Sequence, residues 1–282
     1  MEKLLIIDGN NLLFQMYYGM PSKIYNKSGK TIHATIGFVS FVMKQINLYN
    51  VTKVVVVFDG DSSSERKELL NEYKGNRIDY SLLSEDNNPF SEEENIKKCL
   101  SFLGIKCLNS KNMEADDLIA SLTYLFNKNN EIIISSFDSD FFQLIDDNVS
   151  ILRYRGKNSK MYDKSLFFKE YGFKPNRYVF YKSLLGDISD NIKGVKGVGK
   201  KRAALIVNHI DNIDDLSSLK DFIPYKIYQE LLDSKQTILL NVKLIKLFYK
   251  EEIKFEIEYF DYIKEHLKMT NSMVLSACHI FD

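Results

Sequence analysis

The chain has 282 residues, 45% of them hydrophobic and 27% charged, ordinary globular values that exclude a disordered, collagen-like or coiled-coil polypeptide. Lys and Arg number 38 and Asp and Glu number 38. The net charge of +0 therefore announces no polyanionic partner, and any electrostatic function must come from local segregation of charge.

The length suits one large domain with a smaller appendage. The three cysteines, Cys99, Cys107 and Cys278, show no CxxC spacing and no pairing with histidines, so neither a disulfide framework nor a zinc site is expected. The N-terminal apolar run of MEKLLIID is cut by Asp8, too early for a signal peptide. No stretch reaches the roughly 18 uninterrupted apolar residues of a membrane helix. A soluble, cytoplasmic protein is expected.

Leu4 to Ile7 form a short apolar run ending at Asp8. Ala34 to Leu48 place Ile36, Val39, Met43 and Ile46 three or four apart, a helical spacing. Val54 to Phe58 repeat the first design and end at Asp59. Ser91 to Leu103 open with SEEEN, acids suited to the positive end of a helix dipole, after a polar stretch, Ser84 to Glu94, read as mobile. Asp116 to Phe126 set Leu118, Ile119, Leu122 and Leu125 on one side. Glu131 to Ser135 give a third apolar run, with Asp138 just beyond. Such runs, rich in β-branched residues, suit strands buried on both faces. Strands alternating with helices imply an α/β fold, a parallel sheet flanked by helices, with ligands beyond the carboxyl ends of the strands. From Lys174 onward the strand pattern fades, and the tail from Ile238 to Asp282 is expected to pack back on the body.

Acids gather where such a sheet would hold its ligand. Asp8, Asp59 and Asp138 fall at strand exits; Glu114, Asp116 and Asp117 open a helix; Asp140 follows Asp138; Asp187 and Asp190 lie in GDISDN. Glu114 and Asp117, like Asp187 and Asp190, are three apart and share a face if helical. Helix caps and solvated turns explain any one of them. Crowded carboxylates repel and raise one another's pKa, and divalent cations relieve this. Oxygen donors without His or Cys suit Mg2+ or Mn2+, and two such ions can clamp the attacking and leaving oxygens of a phosphodiester.

A second signal is GVKGVGKKRAALIV, Gly194 to Val207. Gly197 and Gly199 bracket a Val before a helix-forming run, so a tight turn presents amides and a helix N-terminus to an anion. Lys193, Lys196, Lys200, Lys201 and Arg202 surround it, as a clamp on a duplex phosphate backbone requires; a solvated Lys face beside a glycine turn is the plain alternative. A third, weaker signal is RKELLNEYKGNR, where Tyr73, Lys74 and Arg77 lie close together: a Lys can meet a phosphate and an aromatic can stack on a base. Phe141 and Phe142 read as core, and the four histidines are scattered.

The strings IDGNNLLFQMYYGMP, VVVVFDG, RKELLNEYKGNR, MEADDLIASL, FDSDFFQLI and GDISDNIKGVKGVGKKRA, in this order over residues 7 to about 203, resemble the bacterial and phage 5'-3' exonuclease, or flap endonuclease, family, which includes the N-terminal nuclease domain of DNA polymerase I. The resemblance implies a PIN-like (resolvase-like) catalytic domain over 1–175, with an arch at about 76–95 for a 5' single strand. A helix-hairpin-helix (helix-three-turn-helix) subdomain and C-terminal helices would fill 176–282. It implies a first metal site of Asp8, Asp59, Glu114 and Asp116 with Asp117 adjoining, and a second of Asp138, Asp140, Asp187 and Asp190. Lys74 and Arg77 would approach the scissile phosphate, Tyr73 would stack on a base, and Gly194 to Lys201 would grip the duplex, with K+ held by backbone carbonyls. Two or more Mg2+ or Mn2+ ions would serve a free-standing monomeric nuclease acting at 5' flaps, nicks or free 5' ends of duplex DNA, RNA primers included, in replication and repair. A PIN-type ribonuclease and a non-cleaving flap-binding protein are the alternatives.

The chain departs from the family in places. Gln15 stands where Arg or Lys is usual, Phe137 and Ser139 where Gly and Lys are usual, and Lys193 and Lys196 where prolines are common. The segment Ile78 to Phe90 is unlike the Pro-rich family version, and no polymerase portion fits in the length.

Overall fold

The computed structural model describes residues 1–60, 65–76, 78–211, 213–250 and 252–282. In chain order the elements are β1 (Glu2–Asp8), α1 (Gly9–Gly19), α2 (His33–Tyr49), β2 (Lys53–Phe58), α3 (Glu65–Leu69), α4 (Glu93–Phe102), β3 (Lys106–Asn109), α5 (Ala115–Phe126), β4 (Asn130–Ser135), β5 (Val149–Arg153) and β6 (Lys160–Tyr162). There follow α6 (Lys164–Tyr171), α7 (Tyr178–Leu185), β7 (Gly186–Asp187), β8 (Ile192–Lys193), α8 (Lys200–His209), α9 (Tyr225–Asp233), α10 (Lys235–Ile245) and α11 (Asn271–Ala277).

Six strands form one sheet in the order β3-β2-β1-β4-β5-β6. All neighbours are parallel except β5 and β6, which pair antiparallel at the edge. The apolar runs of β1, β2 and β4 occupy the centre, and alternate residues feed two cores. Leu4, Ile6, Val55, Val57, Ile132 and Ile134 pack with Leu118, Ile119 and Leu122 of α5. Leu5, Ile7, Val54, Val56 and Ile133 pack with Phe38, Val39 and Val42 of α2 and Ile96 and Leu100 of α4. A strand buried on both faces cannot alternate polar with apolar, which explains the unbroken runs. Phe141 and Phe142 are fully buried, as read from the sequence.

The C-terminal tail returns to this body. Ile263 N donates to Leu103 O at 2.8 Å, Tyr262 Oη to Val51 O at 2.8 Å, and Asn271 Nδ2 to Ser40 Oγ at 2.6 Å. Val274 and Leu275 of α11 join the second core.

The stretch 84–94, expected to be mobile, is short 3-10 turns leading into α4, anchored at both ends. Phe14 of α1 meets Tyr80 and Phe90 edge-on at centroid distances of 5.0 and 5.4 Å. Glu92 is fully buried, accepting from Thr35 N at 2.7 Å and Thr35 Oγ1 at 2.9 Å, with His33 Nδ1 3.2 Å away. Its polar composition concealed a buried anchor.

Candidate active site

The exits of β1, β2 and β4 each carry an acid, and each acid also accepts a backbone hydrogen bond. Asp8 accepts from Asn11 N at 3.1 Å as the N-cap of α1. Asp59 accepts from Ala115 N at 3.0 Å at the start of α5. Asp138 accepts from Asp140 N at 2.8 Å. Capping and site roles thus coexist, because a carboxylate has two oxygens and about four lone-pair sites. Ser136 stitches two of them together: its Oγ donates to Asp8 Oδ2 at 2.8 Å and accepts from Asp138 N at 2.9 Å.

Burial dominates the electrostatics here. It pushes the Asp8 carboxyl up to about 7, with Asp138 and Asp59 adding repulsion against the hydrogen bonds of Asn11 and Ser136. Asp116, on the first turn of α5, is raised well above the ordinary carboxylate range by burial and by Asp138, Asp8 and Asp59. These four acids repel one another across one basin, although among the described residues only the neighbouring group of Asp140, Asp187 and Asp190 brings its oxygens within 4.8 Å.

A second group adjoins it. Carboxylate oxygens of Asp140, Asp187 and Asp190 lie within 4.8 Å of one another. Asp187 and Asp190 are not on a helix; β7 and β8 are a two-residue antiparallel ladder whose turn folds both toward Asp140. Asp140 is pushed up to about 7 by burial and by Asp138, so Asp138 acts on both groups rather than belonging to the second alone.

The lysine that answers this charge was missed in the sequence. Lys182 of α7 is buried and pairs with Asp140 and with Asp187, the latter at 2.5 Å. Burial opposes its charge, yet Asp140, Asp138 and Asp187 outweigh that and raise its pKa. Burial would likewise lift Asp187, but Lys182 holds it below its ordinary value. The available signal was one Lys inside the apolar string VFYKSLL.

Two expectations are corrected. Asp117 does not join the metal-facing acids: Arg66 Nη1 and Nη2 each donate to it at 2.8 Å, and Phe248 N at 2.9 Å. Adjacent residues on a helix point about 100° apart, so Asp116 faces the basin and Asp117 the Arg66 side. Glu114 stays among the metal-site candidates: Lys74 at 2.7 Å and Arg66 at 3.1 Å pair with its Oε2, much as Lys182 pairs with Asp140 and Asp187. Tyr73 offers no face to a base: it is 3% exposed and packs with Ile192, Leu244 and Ile245, its hydroxyl toward Glu114 at 3.4 Å and Asp190 at 3.5 Å. Burial raises its pKa. Arg77 lies outside the described residues.

Lys74 does reach the basin. Its backbone, at φ 54°, donates from N to Asp190 O at 3.2 Å, while Asn76 Nδ2 holds Ile188 O at 3.0 Å. The turn over 71–76 is thus docked on the loop carrying Asp187 and Asp190.

The glycine hairpin joins α7 to α8. A Cβ on Gly194 would sit 2.0 Å from Leu185 O, so only Gly allows this close approach, and Gly197 has φ 77°. Lys193, Lys196, Gly199, Lys200 and Lys201 are exposed, Gly199 being the N-cap of α8. Arg202 turns inward instead and donates to Gly197 O, bracing the loop.

A mostly parallel sheet with an acid basin at its strand exits, joined to a glycine hairpin ringed by lysines, defines a nuclease of the resolvase-like class. A model described as "5'-3' exonuclease, N-terminal resolvase-like domain" matches residues 3–172, and one described as "5'-3' exonuclease, C-terminal SAM fold" matches residues 173–268. The chain is 32% identical over 269 residues to the 5'-3' exonuclease of Buchnera aphidicola subsp. Acyrthosiphon pisum (strain APS), covering 92% of this chain and 90% of that protein. Its fold is similar to a T5 protein co-crystallised with metal ions, with TM-score 0.67 and 25% identity over 87% of this chain and 90% of that one. It is also similar to the bacteriophage T5 flap endonuclease in complex with DNA and metal ions, with TM-score 0.69 and 23% identity over 99% and 100%. The chain belongs to the 5'-3' exonuclease family and is a nuclease. Among the described residues no helix is long and apolar enough to cross a membrane.

Proposed function

We propose that this nuclease hydrolyses phosphodiesters at 5' flaps, nicks and free 5' ends of duplex DNA, including the RNA of primers, in replication and repair. The observation that carries the reading is the basin of carboxylates beside a row of exposed lysines. The donor set fits hard divalent ions: it is all oxygen, two of its carboxyls are pushed up to about 7, and the ammonium of Lys182 already sits in it. Asp8, Asp59, Glu114, Asp116 and Asp138 would hold one ion and Asp140, Asp187 and Asp190 another. Bound there, Mg2+ or Mn2+ would activate the attacking water and offset charge on the leaving oxygen.

The protein's own residues do the rest. Lys74, poised on Glu114, offers a cation to the reacting phosphate. Lys193, Lys196, Lys200 and Lys201 hold the duplex by its backbone, without reading sequence. We assign the catalytic domain to 1–175, with the segment at about 76–95 crossed by the 5' strand, and duplex binding to 176–282, whose final helix rests on the catalytic body. A K+ ion on the hairpin carbonyls would have to displace Arg202 from Gly197 O.

The test is a 5'-labelled flap duplex, its RNA-flap counterpart and a single-stranded RNA, each incubated with magnesium, with manganese and with EDTA. Metal-dependent cutting near the junction is expected. Tight duplex binding with no cutting in either metal would overturn the reading in favour of a non-cleaving binder, and cutting of single-stranded RNA alone would favour a ribonuclease.

A further inference from the structure

The cations that touch the acid basin are already committed. Lys182 is paired with Asp140 and Asp187, Lys74 with Glu114, and Arg66 with Asp117 and Glu114. Helix α1, which opens at Asp8, has no Lys or Arg at all. Beyond Lys74 at the reacting phosphate, a polyanionic strand crossing this basin gains from a positive group that no carboxylate pairs.

The exit of β5 supplies one. β4 and β5 pair in parallel with Ser135 opposite Leu152, and Ser136 N donates to Leu152 O at 3.2 Å. Phe137, between Ser136 and Asp138, therefore faces the residues that leave β5. Arg153 and Arg155 both lie over its ring, each 5.2 Å from the centroid, and Arg153 Nη2 donates to Phe137 O at 2.6 Å. Gln15 of α1 donates to Tyr154 O, and Tyr154 meets Phe41 at 4.7 Å, so the segment between the two arginines is pinned. Arg155 N donates to Ser159 Oγ at 2.9 Å, closing the turn beyond. Arg155 is exposed and, among the described residues, has no carboxylate partner.

We propose that Arg155, fixed over Phe137, is a phosphate-contact residue that binds the DNA strand crossing the carboxylate basin on its β5 side. The proposal rests on the nuclease reading and deepens it. A guanidinium suits the task because it stacks on an aromatic face and still presents N–H donors at its edge to phosphate oxygens. Phe137 provides the platform, and the uncharged Gln15 positions the backbone that carries it. Positive charge thus reaches the metal-facing acids from the sheet, not from the helix after β1.

Equilibrium binding of a labelled 5'-flap duplex in EDTA tests this, by anisotropy between about 50 and 200 mM salt, where phosphate contacts read out directly. Arg155→Gln should weaken binding about five- to tenfold and reduce the slope of log K against log salt by about 0.7–0.9, one phosphate contact. Arg155→Lys should recover most of the slope. Phe137→Leu should keep the slope's sign but lose part of the affinity, because the guanidinium is no longer held. Binding within twofold of wild type with an unchanged slope for Arg155→Gln overturns the proposal. Cleavage in magnesium by the wild type is scored separately. A protein that cuts while Arg155→Gln binds normally sinks only this inference, and one that binds without cutting while Arg155→Gln binds weakly sinks only the nuclease reading.

Discussion

Replacing Asp8 by Asn should stabilise the metal-free protein while abolishing cleavage. The Asp8 carboxyl is buried beside Asp138 and Asp59 and is pushed up to about 7 from an ordinary 3.8. Its folded pKa exceeds its unfolded one, so the folded state binds the extra proton, and stability falls as pH rises from about 4 to about 7. At 1.36 kcal/mol per pKa unit, the cost is about 4 kcal/mol at pH 8 and about 2 kcal/mol at pH 5 for an isolated group. Sharing of protons with Asp116 reduces the recoverable part at pH 8 to about 2–4 kcal/mol. Asn keeps an oxygen for the Asn11 amide, so the cap survives, while its NH2 requires the Ser136 hydroxyl to turn and accept instead of donate. Thermal unfolding in EDTA should place Asp8→Asn about 3–7 °C above wild type at pH 8, with the gap narrowing at pH 5. Excess Mg2+ should then raise the wild type more than the variant, since the ion takes over the neutralising role. A variant less stable than wild type at pH 8, or a gap that does not change with pH, would refute the electrostatic account of the basin.

Arg66→Met should cost about 3–5 kcal/mol in urea unfolding, because Asp117 and Glu114 keep buried charge without their partner, and adding Asp117→Asn should restore part of the loss. If Arg66→Met alone stays within about 1 kcal/mol of wild type, the pair is not structural. Lys74→Met should slow single-turnover cleavage by about a hundredfold or more with the flap dissociation constant nearly unchanged; a loss confined to binding would contradict its place at the reacting phosphate. Gly194→Ala drives a Cβ to 2.0 Å from Leu185 O and should destabilise by about 2–4 kcal/mol and weaken duplex binding, both absent if the hairpin tolerates a side chain.

The strands and their acids were legible because burial on both faces leaves an unbroken β-branched run, and a parallel sheet places its site at the strand exits. Asp8, Asp59 and Asp138 follow from that rule, and the glycines and lysines of the hairpin follow from local backbone chemistry. Tertiary contact decided the rest. A sequence period reports which face of an element is covered, but not what covers it. Thus Asp116 and Asp117 read alike until α5 was seen to turn one toward Asp8 and the other toward Arg66, which is 51 residues away. Tyr73 read as an exposed stacking ring until Leu244 and Ile245 of α10 closed over it. Lys182, one Lys in an apolar string, gave no sign of its role until Asp140 and Asp187, from two other segments, met it in a buried site where charge survives only when it is paired.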